Sequence, residues 1–350
     1  MKCLICGEGE AAEVLGVCLS CIRERPEEAK EYVKRAHVRA RAPYALPPEP
    51  PRSKDPDARR CRLCANECLL APGEVGYCGV RKNQGSKIGS VFPQNYGLLY
   101  AYEDPLPTNC CASWFCPESE GENVAVFFYG CNFDCLFCQN ESHKQVQIPP
   151  MVSLESFVSR IEKNRRARCV CYFGGSPEPQ LPFAIEASER LLYDGGPRIC
   201  WEGNGCGNPA QVRKAASLSL RSGGIVKFDL KAFGNDLSVA LCGVSNRRAF
   251  QNFEMIAGEF FEGSDPPVLM ATTLLVPHYV DEVEVEKTAE FIASLDPGIP
   301  YSLLVFHPAF CMNDLPVTPR SQVERCYEAA KRHLNKVYLG NKHLLAMAPP

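Results

Sequence analysis

The chain has 350 residues and balances 38 Lys and Arg against 41 Asp and Glu, a net charge of −3, so it lacks the basic excess by which nucleic-acid binders are recognised. Its uncharged apolar runs fall well short of the ~20 residues that span a bilayer, and Met1-Lys2-Cys3-Leu4-Ile5-Cys6 has no secretory apolar stretch, so a cytoplasmic protein without membrane partners is expected. In that reducing compartment the 21 cysteines cannot be a disulfide framework, and their tight grouping points to metal ligation.

Four regions follow in chain order. Residues 1–42 carry Cys3, Cys6, Cys18 and Cys21, two Cys-x2-Cys knuckles with the spacing of a tetrahedral zinc site, followed by a charged helix. That helix starts with Pro26 at its first position and continues to Arg41, with Glu31 and Arg35 forming an i,i+4 pair. Residues 43–57 hold six prolines in fifteen positions, too many for a helix or a central strand, and form a stiff linker. Residues 58–120 are a second cysteine-rich module. Its Cys61, Cys64, Cys68 and Cys78 suit zinc or an auxiliary 4Fe-4S cluster. Cys110, Cys111 and Cys116 follow, as further cluster ligands, a substrate-handling thiol or plain loop residues. Cys169, Cys171, Cys200, Cys206, Cys242, Cys311 and Cys326 are scattered, and buried inert thiols are their default reading.

From residue 121 to about 345 short apolar runs alternate with amphipathic segments. Strands are expected at 124–129, 169–173, 198–201, 225–230, 268–275 and 301–306, and helices near 153–163, 181–193, 208–221, 246–258, 281–294 and 318–333. Such alternation predicts an α/β fold with a parallel sheet, a partial (open) β/α barrel of about six strands, its chemistry beyond the C-terminal strand ends.

At those ends stand the chemistry-bearing residues. After the first strand comes Gly130-Cys131-Asn132-Phe133-Asp134-Cys135-Leu136-Phe137-Cys138, three thiols able to hold three irons of a 4Fe-4S cube and leave the fourth open. After the second comes Gly174-Gly175-Ser176-Pro177-Glu178-Pro179, and after the third Glu202-Gly203-Asn204-Gly205. The fourth ends in Asp229-Leu230-Lys231, with Asp229 and Lys231 on one face, and the sixth ends in His307.

In this order the segments resemble the radical S-adenosylmethionine (SAM) superfamily, and the Asp-Leu-Lys element resembles its pyruvate formate-lyase activating enzyme group. Residues 241–246 and 274–278 are also similar to that group. Residues 305–319 and 337–341, with the leader Cys61 to Arg81, resemble the radical SAM member of the AmmeMemoRadiSam set, so the likeness covers about 61–341. Carried over residue by residue, it implies a 4Fe-4S cluster on Cys131, Cys135 and Cys138. It also implies SAM contacts from Phe137, Gly174, Gly175, Ser176, Glu178, Glu202, Asn204, Asp229, Lys231 and His307. The family's Thr is Gly203 here. The implied activity is reductive cleavage of SAM to a 5′-deoxyadenosyl radical, fed by a flavodoxin- or ferredoxin-type electron donor. Activation of a glycyl radical enzyme is the first expectation, and modification of another protein, peptide or small molecule the alternative. A non-enzymatic metal-ribbon binding protein is the remote third.

Overall fold

The computed structural model describes residues 1–349 apart from Asn109 and Asp194. Nine strands form the main sheet: β1 (Tyr96–Pro105), β2 (Glu122–Phe128), β3 (Met151–Ser153), β4 (Ala167–Gly174), β5 (Arg198–Gly203), β6 (Val226–Asp229), β7 (Leu269–Leu275), β8 (Tyr301–Val305) and β9 (Val337–Gly340). Their spatial order is β9-β8-β7-β6-β5-β4-β2-β1-β3. Every pairing from β2 to β9 is parallel, while β1 runs antiparallel to both β2 and β3. The barrel therefore stays open, with β9 and β3 as its edges. Strands covered on both faces read as unbroken apolar runs, and Val124 to Phe128 and Leu269 to Thr273 are all buried.

The helices are α1 (Leu19–Glu24), α2 (Pro26–Arg41), α3 (Leu154–Lys163), α4 (Leu181–Leu191), α5 (Pro209–Ser222), α6 (Asn235–Cys242), α7 (Arg247–Ile256), α8 (Glu282–Leu295) and α9 (Arg320–Lys331). Local chemistry fixes several of their ends. Ser153 caps α3 by accepting from the Ser156 N–H, Asn208 caps α5 ahead of Pro209, and Asp281 caps α8. None of the described helices is long and apolar enough to cross a membrane.

The N-terminal knuckle and α2 share one continuous core with the barrel. Val33, Ala36, His37 and Ala40 form the buried face of α2, and Arg23 of α1 binds Asp281 and Glu284 on α8. Arg35 does not pair with the Glu31 carboxylate. Its Nε donates to the Glu31 carbonyl at 3.3 Å and its guanidinium lies over the Tyr32 ring. The second module leans on the turn after β5, where the Ala65 N–H donates to the Cys206 carbonyl (2.8 Å) and the Asn208 N–H to that of Leu63 (2.8 Å).

Candidate functional site

The loop from Gly130 to Cys138 leaves the C-terminal end of β2 and rests on the last turn of α6. There the Asp134 N–H donates to the Cys242 carbonyl at 2.8 Å and the Leu136 N–H to that of Leu241 at 2.9 Å. Helix α6 carries a turn-forming Gly234 at its start and Gly243 (φ +74°) at its end, a stop signal that only glycine adopts without strain. Asp134 is wholly buried beneath the loop. It accepts from His37 Nδ1 (2.8 Å) and from the Lys144 ammonium, and Arg41 Nη1 lies 3.5 Å away. Burial alone would raise its pKa, but the His37 hydrogen bond and the Lys144 and Arg41 charges outweigh it, leaving the carboxyl well below its usual range. Because His37 Nε2 also faces the carbonyls of Val239 and Ala240 (3.1 Å each), α2 locks the cysteine loop onto α6.

Cys131, Cys135 and Cys138 face a cavity of about 180 Å³. Phe137, Gly174, Gly175, Ser176, Glu202, Asn204, Asp229 and Lys231 line the same cavity. Lys231 Nζ lies 2.5 Å from Asp229, whose other oxygen accepts from the Thr272 hydroxyl. The two residues placed on one face thus form an ion pair, and both line the cavity that the thiols face. A side-chain clasp joins three strand ends: Asn204 Nδ2 donates to Asn132 Oδ1 (2.8 Å) and to Ser176 Oγ (2.9 Å), and Asn132 Nδ2 donates back to Asn204 Oδ1 (3.2 Å).

Two expected contacts lie elsewhere. Glu178 is turned beneath the cavity, where its carboxylate accepts from the Gly205 N–H (2.9 Å) and the Ser176 hydroxyl, so it shapes the Gly-Gly-Ser turn from behind. This geometry accounts for Gly203: a Cβ there would stand 2.7 Å from Glu178 Oε1, so the glycine leaves the carboxylate its room. His307 lies two residues past the end of β8, exposed and outside the cavity lining.

His143 and Asn341 line the cavity without having been picked out as ligand contacts. His143 follows Cys138 by five residues in a short 3-10 turn, and its Nδ1 is buried with no partner in the described protein. Burial pushes its pKa down to about 3, so the imidazole is neutral at physiological pH. Three thiols that face one cavity are a donor set suited to a metal–sulfur group, and the His143 ring stands beside them.

Gly174 and Gly175 allow the backbone to close on this cavity. Gly174 has φ +102°, and a Cβ on Gly175 would come 2.4 Å from the Gly130 carbonyl oxygen. Gly175→Ala is therefore expected to cost about 1–3 kcal/mol by overpacking and to weaken the binding of SAM that the sequence resemblance implies. Urea denaturation and equilibrium dialysis would check both, and unchanged values in both would contradict this account of the turn.

The other cysteine sets differ in geometry. Cys3 and Cys21 sulfurs are 3.7 Å apart, those of Cys6 and Cys18 3.8 Å, and all four lie within 4.8 Å of one another. A zinc ion with bonds of about 2.3 Å sets tetrahedral sulfurs about 3.8 Å apart. The donor set fits that ion, and the Ile5 and Cys18 N–H groups donate to the Cys3 sulfur as in a metal knuckle. Cys61, Cys64, Cys68 and Cys78 are also buried, yet no three of their sulfurs lie within 4.8 Å of one another.

The sequence model of the Radical SAM superfamily matches residues 125–292. The pyruvate formate-lyase-activating enzyme of Staphylococcus aureus (strain USA300) is 26% identical over 199 residues, covering 54% of this chain and 76% of its own length. The uncharacterized protein MJ0808 of Methanocaldococcus jannaschii is 24% identical over 307 residues, covering 82% of each chain. Among solved structures, Streptococcus suis SuiB bound to precursor peptide SuiA superposes with a TM-score of 0.48 at 13% identity, covering 63% of this chain and 48% of that one.

Proposed function

The segment 125–292 belongs to the Radical SAM superfamily, and from that premise we propose that this enzyme holds a 4Fe-4S cluster on Cys131, Cys135 and Cys138 and uses it to cleave SAM. When bound, the cluster supplies the single electron that splits SAM into methionine and a 5′-deoxyadenosyl radical, and the protein supplies position and shelter. The observation that carries the reading is the convergence of the three thiols, the Asp229–Lys231 pair and the His143 ring on one cavity.

The chain's own residues have separable tasks in this reading. Lys231 offers its ammonium to the SAM carboxylate, with Asp229 and Thr272 fixing its direction. Gly174 and Gly175 give the methionyl amino group access to the backbone. The Asn132–Ser176–Asn204 clasp keeps these contacts in register. Phe133, Phe137 and Leu274 on the cavity wall keep water from the radical.

Activation of a glycyl radical enzyme is the first target class, supported by the Asp229–Lys231 element and the likeness to the staphylococcal activating enzyme. Modification of another protein, peptide or small molecule is the second. It is supported by the N-terminal modules, since the activating-enzyme match covers 54% of the chain and the MJ0808 match 82%. Sulfur spacing supports zinc on Cys3, Cys6, Cys18 and Cys21, and zinc or an auxiliary cluster is proposed for Cys61, Cys64, Cys68 and Cys78.

The test is anaerobic reconstitution with iron and sulfide, reduction by a flavodoxin or ferredoxin in the presence of SAM, and quantification of 5′-deoxyadenosine and methionine. Equal amounts of both are expected, and absence of both rejects the reading. A glycyl radical signal on a co-incubated partner, read by electron paramagnetic resonance, separates the two target classes.

A further inference from the structure

A second cavity, of about 250 Å³, adjoins the first through Phe173 and Glu202. The loop between β1 and β2 closes it. Trp114 of this loop stacks on Tyr338 of β9 with ring centres 5.3 Å apart and donates from Nε1 to Ser302 Oγ on β8 at 3.1 Å. The loop is thereby pinned inside the open barrel.

Five thiols line this cavity: Cys110 and Cys116 from the loop, and Cys169, Cys171 and Cys200 from the strands. On β4, Cys169 and Cys171 share the inward face by the two-residue period, and Cys200 on β5 lies in register beside Cys171. The buried Lys227 stands among them, and Arg198, paired with Glu118, also lines the cavity. Lys227 Nζ is 3.1 Å from the Cys171 sulfur, 3.3 Å from that of Cys110 and 3.2 Å from Glu202 Oε2. Glu202 and Phe173 line both cavities, so the two share a wall.

Buried cysteines ordinarily pack as small hydrophobes. Here they instead face open volume, and an ammonium stands in hydrogen-bonding distance of two sulfurs, where it stabilises thiolate charge. No three of the sulfurs lie within 4.8 Å of one another, so the set is too wide for one tetrahedral ion and suits thiolates spread around a cluster. We propose that this cavity binds an additional iron–sulfur cluster, ligated by thiolates drawn from Cys169, Cys171 and Cys200 on the strands and from Cys110 and Cys116 on the loop. Lys227 offsets part of the negative charge that the thiolates bring. The cluster would lie one wall away from the SAM cavity, within the space a substrate radical would adjoin. The site stands whether or not the first cavity cleaves SAM.

Iron, zinc and acid-labile sulfide per chain, measured on the anaerobically reconstituted full chain, test it. The strand variant Cys169→Ala/Cys171→Ala/Cys200→Ala is expected to lose one cluster's complement of iron and sulfide. The variant Cys131→Ala/Cys135→Ala/Cys138→Ala should lose a separate complement, and the losses should add when the two are combined. After reduction, the signal left in the second variant should not respond to SAM. Where the strand variant does not fold by circular dichroism, the loop variant Cys110→Ser/Cys116→Ser replaces it and must lower or spectrally alter the same cluster. Wild-type iron, sulfide and spectrum in the folded variant, or loss of zinc in place of iron, overturns the proposal.

Discussion

Cys135→Ala is expected to bring 5′-deoxyadenosine formation down to the background of the uncatalysed reaction and to lower bound iron by one cluster. With one of the three thiols gone, a 4Fe-4S cluster would keep only two of its proposed protein ligands. Cys242 is the residue that could confuse the result, since its sulfur lies 3.5 Å from that of Cys135. It is fully buried at the end of α6 and does not line the cavity. Its hydrogen bond, aided by the Lys231 and Lys144 charges and opposed by burial, holds the Cys135 thiol below its ordinary pKa. Cys242 therefore supports Cys135 and is not among the proposed ligands. Cys242→Ala is expected to retain the iron and to slow product formation about 10–100-fold, as loss of a supporting contact to a metal ligand does. Full activity in Cys135→Ala would remove that thiol from the ligand set.

How much of this was legible in the sequence depended on whether a residue's role was set locally. The six expected strands and six expected helices are all present, because strands buried on both faces read as apolar runs and the intervening segments carried caps and periodicity. Strand β1 escaped because its burial does not alternate: Gly97, Leu98 and Leu99 are covered together while Tyr96, Tyr100 and Tyr102 are exposed. Helix α6 is only eight residues long, although Gly234 and Gly243 bracket it and could have marked it.

At the site the same distinction holds. Glycines, thiols and the Asp229–Lys231 pair sit at strand ends, so order along the chain was enough to bring them together. Glu178 is not among the residues lining the cavity because its partner, the Gly205 N–H, comes from the next strand's loop and holds the carboxylate. His307 is not among them either, because β8 ends at Val305 and the alternation of side chains ends with it. His143 offered one signal, its closeness to Cys138. The thiol cavity offered none, because Cys110 and Cys116 meet Cys169, Cys171 and Cys200 only after the loop folds back into the barrel.

The role of α2 is the least local feature of all, and it leads to the second large effect. Asp134 lies between two proposed cluster ligands and carries no exposed surface, and the cationic side chains beside it, Lys144 and Arg41, are equally covered. Arg41 also donates from Nε to the Pro47 carbonyl (2.5 Å) and from Nη2 to that of Tyr77, with its guanidinium over the Tyr77 ring, so one side chain joins helix, linker and second module to the cysteine loop. In Asp134→Asn the amide keeps the shape but removes the anion, leaving both charges buried without a counter-ion. Removing one partner from such a group costs about 3–5 kcal/mol, a large share of the stability of an ordinary domain. Urea denaturation of the holo-protein would show a lower midpoint at unchanged slope. His37→Ala added to Asp134→Asn should cost less than the sum of the two single changes, because both break the same contact. Because the loop that Asp134 anchors presents Cys131, Cys135 and Cys138, the variant should also reconstitute with less iron at the first cavity. Wild-type stability in Asp134→Asn would mean that α2 merely covers the loop; the expected loss means that the N-terminal region helps to form the cluster site.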